Sequence, residues 1–298
     1  MRSFVSLRHV LALILMAGMA ADAQARQDVV KDQFRVAPGG TLFLDIDYGD
    51  IDVVTHRGDM VTITMERDVD GASDRELKEI LSRQRYRFDQ DGDDVIVEVR
   101  FDEDDNDRAW KRWKRDYDLE VDIRIVVPEQ YDVEFRSAAG NVSIAELEGD
   151  VSGRTGAGNL ELERISGVVD VSSGAGNVDV IDNDGNVYVQ SGAGTVDLEG
   201  IRGRIEARTG AGNITAVIDG PLAGDSSFNT GAGNVTVYLS DDVEADVEGR
   251  ASLGNARTDF NLRTRGKFMS KSFSGRLNGG GPEIVLSSGV GNVSLRRN

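Results

Sequence analysis

The chain has 298 residues, with 34 Lys and Arg against 52 Asp and Glu for a formal net charge of −18, and it contains no cysteine. So acidic a surface repels nucleic acid and anionic lipid, both of which are held by clustered Lys and Arg. No disulfide, Cys–His pair or cysteine lipid anchor can form, and two histidines, His9 and His56, supply neither a multi-histidine metal site nor a choice of Ser-His-Asp triads.

In chain order, Arg2 and Arg8 precede an apolar stretch from Val10 to Ala21, and Ala23-Gln24-Ala25 fits a small-x-small cleavage site. This predicts a signal peptide over residues 1–25, cut between Ala25 and Arg26, and a periplasmic or secreted protein. Losing Arg2, Arg8 and Asp22 takes the 34 basic and 52 acidic residues to 32 and 51, a charge of about −19. No later stretch approaches the roughly 20 apolar residues that cross a bilayer, so no membrane insertion of the mature chain is expected.

Residues 26–128 read as an irregular N-terminal β region. Apolar residues alternate at Leu42, Leu44 and Ile46, at Ile51 and Val53, and at Val61, Ile63 and Met65, with Gly39-Gly40, Gly49 and Gly58-Asp59 as corners. Ser73 and Glu76 form a capping box opening a short helix over about 74–84, its apolar face made by Leu77, Ile80 and Leu81. Val95–Phe101 and Leu119–Val127 alternate again. The stretch 102–117 between them is an acidic run followed by a basic one holding Trp110, Arg112, Trp113 and Lys114. It reads either as a ligand-binding tip whose tryptophans meet a sugar ring or as a self-neutralising loop whose tryptophans cover the adjacent sheet. Asp102, Asp104 and Asn106 match the start of an EF-hand loop. Asp107 and Trp113 stand where that loop needs glycine and glutamate, so no metal and no cofactor are expected. Asp182-Asn183-Asp184-Gly185 reads as a turn.

Over residues 129–298 the sequence repeats. Ser/Thr-Gly-Ala-Gly-Asn-Val recurs every 18 residues from Ser137 to Thr215, returns at Thr230 after a three-residue insertion, weakly at Gly254-Asn255, and again at Ser288. Superposing the copies gives apolar columns (Val142, Leu160, Val178, Val196, Ile214; Val151, Val169, Val187, Ile205) alternating with polar ones such as Glu161, Asp179 and Asp197. Period two on both halves of an 18-residue unit predicts two strands per coil, hence a β-solenoid with identical phases about 4.8 Å apart. Gly158, Gly176, Gly194 and Gly212 fall at the corners, and the alanines between the glycines are expected to point into a tight corner. Asn141, Asn159, Asn177, Asn213 and Asn234 form a ladder, with Thr195 interrupting it. The sequons at Asn141, Asn213, Asn234 and Asn292 are explained by that corner, with glycosylation the lesser reading. Beyond Asn255 the repeat degenerates and turns basic (Arg257, Arg263, Arg265, Lys267, Lys271, Arg276). This predicts a terminal cap, or less readily a docking surface for an acidic partner or for the acidic body of a second molecule.

The opening VAPGGTLFLDIDYGDIDVV, the approach IRIVVPEQYDVEFRSAAGNVSI and the repeats that follow resemble the bacterial putative-adhesin family of β-strand-repeat proteins, akin to autotransporter-adhesin heads. The resemblance spans about Phe34 to Leu295. It implies an all-β, right-handed parallel β-helix at the cell envelope, with no catalytic residues to carry over. The leading expectation is therefore a non-enzymatic adhesin-like binding or structural protein with an envelope protein or polysaccharide as partner. Two alternatives stand beside it. One is a polysaccharide lyase or hydrolase using outward carboxylate pairs such as Glu161 with Asp179 or Asp179 with Asp197; the other is a periplasmic stress-signalling or assembly partner.

Overall fold

Strands with one apolar face bury it by facing a second sheet across a shared core, and here one chain supplies both sheets by winding. The computed structural model describes residues 27–69, 73–101, 119–267 and 270–298. Among these, a twelve-stranded and a thirteen-stranded sheet face each other, joined by short corners. Each regular coil contributes one strand to each: Val142–Leu147, Leu160–Ile165, Val178–Asn183, Val196–Glu199, Ile214–Ile218 and Val235–Leu239 to the first sheet, and Val151–Ala157, Val169–Ala175, Val187–Ala193, Ile205–Ala211 and Ser226–Ala232 to the second. Neighbouring rungs are parallel and offset by one repeat, so Leu160 sits between Val142 and Val178, and Val169 between Val151 and Val187. The chain is an all-β solenoid.

The ends depart from chain order. Thr41–Tyr48 and Asp50–His56 form a rung lying directly on Asp132–Ala139 and Val142–Leu147, while the later strands Asp94–Phe101 and Leu119–Pro128 lie outside it. At the other end, Glu283–Val290 and Val293–Arg297 insert between the Thr230 rung and the earlier-made rung of Ala245–Leu253 and Ala256–Thr258. The 37 residues from Asn255 to Asn292 are thus a return inward, not two further coils outward. Antiparallel strands then close each end: Gln27–Arg35, Met60–Val69 and Gln84–Asp91 at one, Ser270–Leu277 and Arg263–Lys267 at the other. These are the atypical terminal units that a stacked architecture needs. The helix, Asp74–Leu81, has its capping box at Ser73 and Glu76 and buries Ile80. It stops short of the expected residue 84 because Gln84 already opens an edge strand and accepts a hydrogen bond from Arg67 at 2.7 Å.

Val, Ile and Leu fill the core, and where a glycine leaves space a phenylalanine on the next strand takes it. Phe135 occupies the space above Gly153, where a Cβ would meet its ring at 2.4 Å, and Phe273 does the same at Gly249. Such large-on-small complementation keeps the interior at close-packed density.

The repeated phrase divides its work residue by residue. The Ser/Thr hydroxyl is buried and donates to the glycine carbonyl of the preceding coil, as from Ser173 to Gly158 (3.0 Å), Ser191 to Gly176 (3.0 Å) and Thr230 to Gly212 (2.8 Å). The second glycine makes the corner: Gly176 has φ +152°, and a Cβ there would lie 2.0 Å from the Gly158 carbonyl oxygen. The first glycine is needed for approach alone, since a Cβ on Gly174 would stand 2.4 Å from the Gly156 oxygen. The alanine does not fill a tight corner as the sequence suggests. Ala157, Ala175, Ala193, Ala211 and Ala232 are exposed, and the same register position holds Tyr48, Val290 and Leu253, each over 40% exposed. The asparagine offers its Oδ1 to the backbone N–H of the same position one rung on: Asn141 to Asn159 (3.0 Å), Asn159 to Asn177 (2.9 Å), Asn177 to Thr195 (2.9 Å) and Asn213 to Asn234 (2.9 Å). This ladder is solvent-exposed and joins side chain to backbone throughout, and the stacked amides that the sequence pattern suggests are present in its later part, where Asn234 donates to Asn213 (3.2 Å) and Asn292 to Asn234 (3.1 Å).

These roles can be separated by substitution. Gly176→Ala and Gly174→Ala should each cost several kcal/mol, in the range of strained or overpacked sites, whereas Ala175→Leu should stay within about 0.5 kcal/mol; thermal melts of the three variants decide this. Thr195→Asn restores the missing acceptor and should raise stability by about 1 kcal/mol, with Asn177→Leu lowering it by a similar amount.

Candidate functional site: the outer face of the first sheet

Because the inward and corner positions are committed to the stack, charge is carried mainly by the outward columns. On the second sheet opposite charges interleave and pair, as in Arg208–Glu206 (2.6 Å), Arg250–Glu248 (2.9 Å) and Arg136–Glu134 (3.5 Å). On the first sheet Arg124 pairs with Asp52 and Arg164 with Glu146, but along the rungs from Asp179 to Arg257 the charges segregate. In spatial order one outward column reads Lys31, Thr64, Arg124, Asp52, Ser143, Glu161, Asp179, Asp197, Thr215, Thr236, Ser294, Arg257, so that from Asp52 onward the order is acid, hydroxyl, base. The next reads Glu163, Ile181, Glu199, Val217, Tyr238, Arg296. This stretch of the face runs from acid to base.

Two shallow grooves mark its ends. At the acidic end a groove of about 630 Å³ is lined by Asp50, Asp52, Glu66, Asp122, Arg124 and Glu161, among others. Arg124 donates to Asp52 at 2.8 Å. Burial, then the neighbouring charges of Asp50 and Glu66, push the Asp122 carboxyl above the ordinary carboxylate range. Further along, burial and the stacked Asp197 and Glu161 do the same to Asp179. At the basic end a groove of about 310 Å³ is lined by Asn234, Asn255 and Asn292, by Thr236 and Ser294, and by Arg257 and Arg296. Among the described residues no group of three or more His, Asp or Glu side chains converges to hold a metal ion. The sole histidine among them, His56, hydrogen-bonds the Met60 carbonyl at 2.7 Å across the short connection between Asp50–His56 and Met60–Val69. Chemically the face is an open array of carboxylates one rung apart, suited to attracting opposite charge.

Trp110, Arg112, Trp113 and Lys114 lie outside the described residues, as do residues 1–25. Asn141, Asn159, Asn177, Asn213 and Asn234 sit together with Gly158, Gly176, Gly194 and Gly212 along one corner, beside the acidic column and facing solvent. Sequence reasoning misses Asp50, Glu66 and Asp122. Alternation marks each as outward, yet their meeting depends on the out-of-order rungs at the N-terminal end. Asn183, which the sequence places in a turn, is instead the buried last residue of a strand. There it replaces Leu147 and Ile165 of the column and bonds the Gly185 carbonyl at 2.8 Å.

A family model described as Toastrack DUF4097 matches residues 117–296. No curated protein matches the sequence. Among solved structures, a "putative adhesin" from Bacteroides fragilis is 13% identical, covering 91% of this chain and 97% of its own at a TM-score of 0.50, which shows a shared fold. A "putative cell adhesion protein" from Clostridium sporogenes (13% identity, 91% and 100% covered, TM-score 0.29) and a "putative lipid binding protein" from Parabacteroides distasonis (11%, 89% and 96%, 0.32) are more distant. Among the described residues no helix is long and apolar enough to cross a membrane.

Asp122 and Asp179 hold protons more readily in the folded chain than in the unfolded one. Their contribution to stability therefore falls as pH rises from the ordinary carboxylate value through each raised one. Asp179→Asn should raise the melting temperature at neutral pH and remove part of that decline, as melts across the acidic range would show.

Proposed function

The chain belongs to the Toastrack DUF4097 family, and we propose that it is a non-enzymatic, adhesin-like protein of the cell envelope or of the secreted fraction, whose solenoid presents a charged face to an envelope protein or polysaccharide. The reading rests on one observation above others: from Ser173 to Thr230 the repeated hydroxyls, and the ladder asparagines beside them, are spent on the neighbouring rung. The buried hydroxyls bond glycine carbonyls and the asparagines bond backbone amides. What remains is an even, open surface, which suits broad contact better than the enclosed, desolvated geometry that catalysis uses. The shared fold with a protein named as an adhesin supports the same reading at the level of architecture. Export through a signal peptide at residues 1–25 belongs to this proposal, as does a contribution from Trp110 and Trp113.

Affinity capture from the producing organism's envelope material, with protein and carbohydrate both analysed, tests it. Retention of one partner, with polysaccharides recovered uncleaved, is expected. Cleavage of a polysaccharide that disappears in Glu161→Gln or Asp179→Asn would replace this reading with the enzymatic one. A parallel Trp110→Ala/Trp113→Ala chain reports whether those tryptophans contribute to retention.

A further inference from the structure

We propose that the outer face of the first sheet is a self-association surface, on which a second copy of this chain docks face to face with its coils running the opposite way.

The register supplies the geometry. Six consecutive rungs of one outward column hold Asp179, Asp197, Thr215, Thr236, Ser294 and Arg257. A two-fold axis lying along the strand direction, midway between the Thr215 and Thr236 rungs, exchanges the first member with the last. Arg257 of one copy then faces Asp179 of the other, and Ser294 faces Asp197. In the adjoining column the same operation sets Arg296 against Glu199. Every pair occurs twice, as an isologous contact requires. The centre is small or half-buried, with Thr215 and Thr236 flanked by Val217 and Tyr238, so nothing charged is buried where the copies meet first.

Three features favour a second copy as occupant. Charge complementarity is internal to the face, since its acidic and basic halves stand equidistant from one axis. These charges are also left over: among the described residues Asp179, Asp197, Glu199 and Arg257 make no ion pair, and Arg296 reaches only Asp259 at 3.9 Å. The second sheet, by contrast, pairs its charges within the chain. Finally, the carboxylates stacked around Asp179 already disfavour one another's charge, and an arginine opposite relieves that repulsion. Six rungs of about 4.8 Å and five residues of about 3.3 Å cover roughly 500 Å² per copy, or about 1,000 Å² in total. That is the lower bound of a specific interface, so the dimer should be weak and sensitive to salt.

Sedimentation velocity on the processed chain tests this, with Asp179→Arg and Arg257→Asp variants. The wild-type chain should dimerise at about 50 mM salt and dissociate towards about 500 mM. Each single variant should be monomeric, its dissociation constant raised about tenfold or more, with its melting temperature not lowered. An equal mixture of the two variants should form a heterodimer, because position 179 of each chain then faces opposite charge at position 257 of the other. The double variant should self-associate again. A wild-type chain that stays monomeric to about 100 µM in low salt overturns the proposal, as does a dimer indifferent to both substitutions or a mixture that remains monomeric. A monomer that instead retains polygalacturonate through Arg257 would assign the basic half of the face to an anionic glycan and equally overturn it.

Discussion

The spacing of parallel rungs, about 4.8 Å, is the constraint from which the rest of this molecule follows. At the repeated corner the backbone of one coil must pass so near the next that glycine carbonyls lie about 2 Å from where a Cβ would be. Only glycine fits, and the carbonyls so exposed to the interior need a donor. The buried Ser/Thr hydroxyl of the repeated phrase provides it. The asparagine after the corner meets the matching need on the solvent side by accepting a backbone N–H. Leaving either group unsatisfied would cost more than the bond itself contributes.

With interior and corner thus committed, the molecule expresses its individuality at two places. One is the ends, where rungs are inserted out of chain order and antiparallel strands close the stack, blunting edges that would otherwise template aggregation. The other is the outward columns. On the second sheet these are self-neutralised; on the first, along the rungs from Asp179 to Arg257, they are sorted by sign. A net charge of −18 does not by itself dictate where along the axis each sign falls. The sorting places Arg257 and Arg296 at one end of a run whose other end is Asp179.

Much of this was legible in the residues. A strict period of 18, period-two alternation within it, and β-branched residues in the alternating columns left only a two-stranded coil as solution, and the register of Leu160 with Val142 and Val178 is what superposing the repeats shows. Ser73 and Glu76 placed the helix start. What could not be read was anything set by non-local pairing. The return of Glu283–Arg297 between earlier rungs leaves no local trace, because its apolar alternation is that of any other coil. Alanine between two glycines suggests confinement, and only the exposed Tyr48, Val290 and Leu253 at the same register reveal an open corner. The acidic groove was illegible for the same reason: Asp50, Glu66 and Asp122 are distant in sequence and are brought together by the out-of-order rungs at the N-terminal end.

The central claim is that the repeated phrase is a hydrogen-bonding device linking rung to rung. Residue-resolved hydrogen exchange tests it most directly, because solvent-exposed backbone amides exchange rapidly unless they are bonded. The amides of Asn159, Asn177 and Thr195, each bonded to the asparagine below, should be strongly protected despite lying at the surface. The Asn213 amide, above Thr195 and without a ladder acceptor among the described residues, should exchange markedly faster. Equal protection at all four positions, or rapid exchange at all four, would contradict the account.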